Sequence, residues 1–130
     1  MAKAQTRLEL SRLEAPLAAA LLAGCEHLDA SGRTAPQDIE HMAATGQCFA
    51  ATAPQAQAVY VVEVKNGIAW ISAAKGFGPL DWSAMLLPII EAQAKGCAAV
   101  SFQTARPGLV KKAMKQGYAV TGWILKKAIP

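Results

Sequence analysis

Few side chains in this chain could do chemistry, and their spacing excludes more than it suggests. Cys25, Cys48 and Cys97 are odd in number, far apart and form no CxxC pair. That is the pattern of reduced thiols packed in a cytosolic protein, not of a metal site or a disulfide framework. His27 and His41 stand at the ends of a helical region, at a separation that matches no metal-ligand spacing. No Ser-His-Asp or Cys-His arrangement follows from spacing alone. Charge is the stronger signal. Glu91 is the last acidic side chain, yet Lys95, Arg106, Lys111, Lys112, Lys115, Lys126 and Lys127 all follow it. A carboxyl-terminal third this one-sided attracts phosphates, nucleic acid or an acidic protein through its long-range field. The plain alternative is a solvated helix face that keeps the protein soluble. No nucleic-acid-binding motif accompanies the lysines, so specific recognition of bases is not expected. Trp70, Trp82 and Trp123 fall on three separate elements, which suits packing better than a base-stacking platform.

The elements that must position these residues can be read along the chain. The segment Asp81–Lys95 is a helix stopped at Gly96, where glycine tolerates the left-handed backbone of a C-cap. Residues 98–103 (AAVSFQ) are short and apolar enough for a buried strand. Pro107 suits the first turn of an amphipathic helix that runs to Gln116 and stops at Gly117, after which Tyr118–Leu125 returns as a strand. Upstream, Val59–Lys65 and Ile68–Ser72 are β-rich runs joined by Asn66-Gly67, whose residues both accept positive φ, so they form a tight antiparallel hairpin. Gln47–Thr52 is a further strand, broken by Pro54-Gln55. Thr34, Pro36 and Gln37 form a capping box with an early proline, predicting a helix from Pro36 to about Thr45. A first helix is expected from about Pro16 to Leu28. Thr6–Leu10 reads as a short strand, with an early helix running into Pro16 as the alternative.

The apolar run around Leu17–Cys25 imitates a signal peptide. Glu9 and Glu14 give it the wrong flank, and it falls far short of the roughly 20 residues that cross a bilayer. The chain is therefore expected to be cytoplasmic and to make no use of a membrane. At 130 residues and 53% hydrophobic it can bury one real core, and no composition break divides residues 1–130.

In this order (strand, two helices, three antiparallel strands, helix, strand, helix, strand) the chain resembles the GNAT (Gcn5-related N-acetyltransferase) fold over essentially its whole length. Gly96-Cys97 before a strand and Gly117-Tyr118 after a helix carry much of the likeness. Asp81-Trp82, Leu86-Leu87, Ala94-Lys95-Gly96-Cys97, Arg106-Pro107-Gly108 and Gly117-Tyr118 together look closest to small GNAT-like proteins of tailed bacteriophages, among them internal virion or morphogenesis proteins of podoviruses. The resemblance implies an α/β (α+β) domain, with a mixed, mostly antiparallel sheet flanked by about four helices.

The family's enzymatic residues carry over unevenly. Its members seat the pyrophosphate of acetyl-CoA in a Gly-rich loop at a helix N-terminus, where backbone N–H groups meet the anion. Lys75, Gly76, Phe77 and Gly78 offer a cation and two glycines, but they fall several residues too early. Asp81 stands at the helix start, where it caps the helix and repels phosphate. The tyrosine that protonates the departing thiolate in many members is replaced by Ala113. Tyr118 belongs to the Gly-aromatic pair and reads first as core; Tyr60 lies on a hairpin strand; Glu63, or a bound water, is the candidate base for an amine. These departures lead to the expectation of a catalytically degenerate, virion-associated assembly component without cofactor. It would work through protein contacts, with Arg106, Lys111, Lys112, Lys115, Lys126 and Lys127 as its interaction face. The alternatives are an acyl-CoA-dependent N-acetyltransferase using Lys75–Gly78, and a regulatory binding protein on the same scaffold.

Overall fold

The structure, a computed structural model, describes residues 8–23, 36–104, 106–123, 125 and 127–130. Its element order is β1 (Glu9–Arg12), α1 (Ala15–Leu22), α2 (Pro36–Thr45), β2 (Gln47–Ala53), β3 (Ala56–Lys65), β4 (Ile68–Phe77), α3 (Trp82–Gln93), β5 (Ala99–Ser101) and α4 (Pro107–Lys115). The five strands lie in the order β1-β2-β3-β4-β5. The first four are antiparallel and β5 runs parallel to β4. This is the mixed sheet with four helices that the sequence predicts.

The centre is built by β3, whose side chains alternate between two covered faces. Val59 and Val61 point to one face, where they meet Ala18 and Leu22 of α1 and Ile39 and Ala43 of α2. Ala58 and Tyr60 point to the other, against Leu86 and Ile90 of α3. Each large side chain buried this way contributes about 1.5–3 kcal/mol. The turn joining β3 to β4 has φ 52° at Asn66 and 74° at Gly67, the positive pair that Asn-Gly permits. α3 starts behind Asp81, whose side chain accepts a hydrogen bond from the Ala84 amide.

Several boundaries differ from the expected ones, among them the start of β3 at Ala56 rather than Val59 and the shortening of the strand at 98–103 to Ala99–Ser101. The first strand is Glu9–Arg12, shifted past Thr6–Leu10, and Thr6 lies outside the described residues. α1 runs from Ala15 to Leu22 and ends at Ala23, whose backbone is extended, while residues 24–28 of the predicted Pro16–Leu28 helix and Thr34 of the capping box lie outside the described residues. β4 extends to Phe77, beyond the predicted Ser72, because β3 supplies partners back to Gln57. The predicted strand Tyr118–Leu125 does not form among the described residues, where Trp123 is 88% and Leu125 94% exposed. Its neighbour β5 is only three residues long and offers little edge to pair with.

Candidate functional site

The feature that opens the sheet lies in β4. Val61 pairs with Ala73 and Val62 with Ile71, so Ser72 is an extra residue and bulges the strand. On its other side, β4 pairs with β5 only at Ile68, Ala69 and Trp70. Past Trp70 and Ser101 the two parallel strands are no longer paired, and β4 continues to Phe77 and the N-terminus of α3. A sheet parting between parallel strands, with a helix N-terminus at the end of the gap, can hold an extended, amide-containing chain that carries an anion.

The four predicted cradle residues border this gap but are engaged in other work. A Cβ on Gly76 would lie 2.2 Å from Trp82 Cδ1, so this glycine exists to let the indole close over the strand. The same indole donates its N–H to the Phe77 carbonyl at 3.2 Å. Gly78 has φ 90°, and a Cβ there would meet the Gln55 carbonyl oxygen at 2.4 Å. Lys75 reaches away to donate to the Ala23 carbonyl at 3.0 Å, with its ammonium 5.1 Å from the centre of the Phe77 ring. The Asp81 carboxylate occupies the start of α3. It accepts from Ser83 Oγ at 2.7 Å, lies 3.5 Å from Lys112 Nζ, and its pKa is lowered, first by the Ser83 bond.

Glu63 lies on the α2 side of β3, next to the bulge. Thr45 Oγ1 donates to its Oε1 at 2.8 Å and Ser72 Oγ to its Oε2 at 2.5 Å, with Lys65 Nζ 3.9 Å away. Burial works to raise its pKa, but the Ser72 and Thr45 hydrogen bonds and the charges of Lys65 and His41 outweigh it, and the net shift is downward. Spacing could not have found Ser72 or Thr45 as its partners, because the bulge and the α2 contact exist only once the strands are in register. Tyr118 donates to Glu91 Oε2 at 2.9 Å and packs edge-on to Phe102. Burial, then its bond to the Glu91 carboxylate, raises its pKa well above the usual phenol value. It lines a cleft of about 360 Å³ with Glu91, Lys95, Cys97 and Val100, among others. Both shifts run against proton transfer: a lowered carboxylate is a weaker base and a raised phenol a weaker acid.

Tyr60 is fully buried, stacks on Phe49 and donates to Gln93 Oε1 at 2.6 Å, which makes it core. Ala113 is 3% exposed where α4 packs beside α3. Cys48 is buried, and burial raises its thiol pKa despite the nearby Arg12. His41 is exposed on α2, whereas Cys25 and His27 lie outside the described residues. Among the described residues no group of His, Cys, Asp and Glu could hold a metal ion, and no helix is long and apolar enough to cross a membrane. Of the predicted interaction face, Arg106 sits at the α4 N-cap, and Lys111, Lys112 and Lys115 share the exposed side of α4. Lys127 is exposed on the terminal segment, and Lys126 lies outside the described residues.

No protein-family profile matches the sequence, and a search of curated proteins finds no match. Solved structures do match. The ribosomal-protein-alanine N-acetyltransferase from Brucella melitensis biovar Abortus 2308 superposes with a TM-score of 0.55 at 13% identity, covering 95% of this chain and 99% of that one. A GNAT-family protein from Xanthomonas campestris pv. campestris gives 0.54 at 13% identity, with 98% and 96% covered. AAC(6')-Iy, solved with the bisubstrate analogue CoA-S-monomethyl-acetylneamine, gives 0.52 at 13% identity, with 96% and 99% covered. At these identities the likeness is one of fold, and this chain has the GNAT fold. The expectation of a degenerate virion component is corrected by the same finding. The Brucella and Xanthomonas proteins are named as acetyltransferases, AAC(6')-Iy was solved with a CoA bisubstrate analogue, and none of these three is a phage or virion protein.

Proposed function

We propose that this protein transfers an acyl group from a pantetheine thioester of the acyl-CoA type to an amine. The observation that carries this reading is the parting of β4 from β5 beyond the Ser72 bulge, with the α3 N-terminus at its end. The pantetheine arm is an extended chain with two amides, and an opened sheet edge is suited to such a chain. The fit is uneven along the donor. The arm has a place beside β4, whereas a diphosphate at the start of α3 meets the Asp81 carboxylate, and Gly76 and Gly78 are filled by Trp82 and by Gln55 with Ala56.

In the reaction, the amine nitrogen attacks the thioester carbonyl, a C–N bond forms and the C–S bond breaks. The thiolate leaves and takes up a proton, and the nitrogen loses one. Ala113 has no proton to give, and Tyr118 is tied to Glu91 with its pKa raised. Glu63 is ionised at neutral pH and draws a cationic amine towards the bulge more effectively than it removes its proton. Catalysis then rests on holding the neutral amine against the thioester, with protons exchanged to solvent. The test combines calorimetric titration with acetyl-CoA and acetyl-pantetheine with thiol-release assays on a panel of amines. Binding of at least one thioester, at about −8 kcal/mol for a micromolar dissociation constant, and thiol release that depends on amine are expected. Failure of both donors to bind at millimolar concentration sinks the reading.

A further inference from the structure

The uneven fit of the donor has a counterpart on the adjoining surface. We infer that the natural donor is an acyl-phosphopantetheine carried on an acidic carrier protein, and that the basic outer side of α4 is where this carrier docks. The inference rests on the acyl-transfer reading above and names its donor.

The first observation is that the diphosphate position is closed from within. Asp81 caps α3 with its own carboxylate, bonded to Ser83 Oγ at 2.7 Å and to the Ala84 amide at 3.4 Å. The amide and the helix dipole that favour an anion are thereby already engaged by one. Coenzyme A brings a diphosphate and a further phosphate on its ribose, whereas a carrier-bound arm brings a single phosphodiester. The glycines of the preceding loop serve packing, since Trp82 and Ala56 stand where their side chains would be.

The second observation is the surface beside that closed position. Ala113 is buried, Leu109 and Val110 are half-buried, and Lys111, Lys112, Met114 and Lys115 all face outward. Met114 is 54% exposed and stands one helical turn from Lys111 and next to Lys115, an apolar edge beside two cations. This is the composition that receives an acidic, amphipathic protein surface. Two contacts lock the face to the mouth of the gap: Lys112 Nζ lies 3.5 Å from Asp81 Oδ1, and Gln116 Nε2 donates to the Ser83 carbonyl at 3.0 Å. A carrier seated on α4 therefore has its arm beside the opening next to β4. No acidic side chain follows Glu91 to repel it.

The test measures binding and turnover for four probes: acetyl-CoA, acetyl-pantetheine, a purified acidic acyl carrier protein bearing an acetylated phosphopantetheine arm, and a 20-residue single-stranded oligonucleotide. The acetylated carrier is expected to exceed acetyl-CoA in kcat/KM by about tenfold or more, and its binding is expected to weaken steeply with salt. Acetyl-CoA and acetyl-pantetheine are expected to bind within about threefold of each other, since the diphosphate gains no seat. Lys111→Glu with Lys115→Glu should lower carrier affinity about tenfold relative to acetyl-pantetheine, and Lys111→Ala with Lys115→Ala should do so less. Circular dichroism verifies that both variants are folded. A preference of about tenfold for acetyl-CoA over acetyl-pantetheine overturns the inference while leaving acyl transfer standing. So does carrier binding that is indifferent to the charge reversal, or oligonucleotide binding tighter than carrier binding at equal salt. Failure of both acetyl-CoA and acetyl-pantetheine to bind at millimolar concentration overturns the acyl-transfer reading and this inference with it.

Discussion

Among the described residues Glu63 is the carboxylate bonded to the bulge residue Ser72, and its surroundings decide what it can do. Two hydroxyls, from Thr45 and Ser72, hold its two oxygens, and its pKa falls below the ordinary value of 4.5. The sign of the linkage follows from that direction. A depressed folded pKa contributes stability that is complete above the unfolded value and is lost as pH falls through the folded one. Urea denaturation between neutral pH and about pH 3 should therefore show an acid limb that begins below pH 4.5. Glu63→Gln should flatten this limb and cost about 1–2 kcal/mol at neutral pH through weakened hydrogen bonds. An unchanged limb in the variant would remove Glu63 from the account. Neither this residue nor Tyr118 could be assigned from its neighbours in the chain. The type of each side chain was legible, but the burial that raises the Tyr118 pKa and the hydrogen bonds that hold both side chains, to partners 9 to 27 residues away, exist only in the folded chain.

At the scale of the element, the loop from β4 to α3 shows how a motif-like string can serve packing. Gly76 permits the Trp82 indole to lie across β4, and Gly78 permits the chain to pass the β2–β3 turn. Gly76→Ala places a methyl 2.2 Å from Trp82 Cδ1, and a rigid ring cannot yield as a flexible side chain does. The expected cost is about 1–3 kcal/mol, the usual range for overpacking. Trp82→Leu should recover part of it, so the double-mutant cycle should show coupling of about 0.5 kcal/mol or more. Additive losses would mean that the two residues do not touch. Thermal denaturation of the four proteins gives the answer. Two glycines after a strand look alike in the sequence whether they admit a phosphate or an indole, and only the position of Trp82 distinguishes the two.

For the whole molecule, the question is how much of the chain the core requires. The two faces of β3 account for the central packing, with α1 and α2 on one side and α3 on the other. The described large apolar side chains after Tyr118 contribute little to it: Val120, Trp123, Leu125 and Ile129 are each more than half exposed. Removal of residues 123–130 should leave Tm within about 3 °C of the full chain, since exposed positions change stability by about ±0.5 kcal/mol. A fall of about 8 °C or more would show that these side chains pack on the domain.

Residue types and their order determined the element sequence of this protein as far as α4. The β3–β4 turn, the helix stop near Gly96 and the proline start of α4 follow from local backbone preferences that hold wherever the chain lies. The order of the elements was enough to predict a mixed sheet with helices on its faces. Tertiary structure alone decided the rest. The Ser72 bulge is a mismatch of register between two strands, so no single strand encodes it. The limit of β5 to three residues and the failure of Tyr118–Leu125 to pair depend on how much edge a neighbour offers. The crowding of the β4–α3 loop depends on Trp82 and Asp81 meeting Gly76 and Lys112 in space. Local propensity acts over a few residues, whereas register, edge and charge pairing belong to contacts between distant segments, and those contacts shape the site.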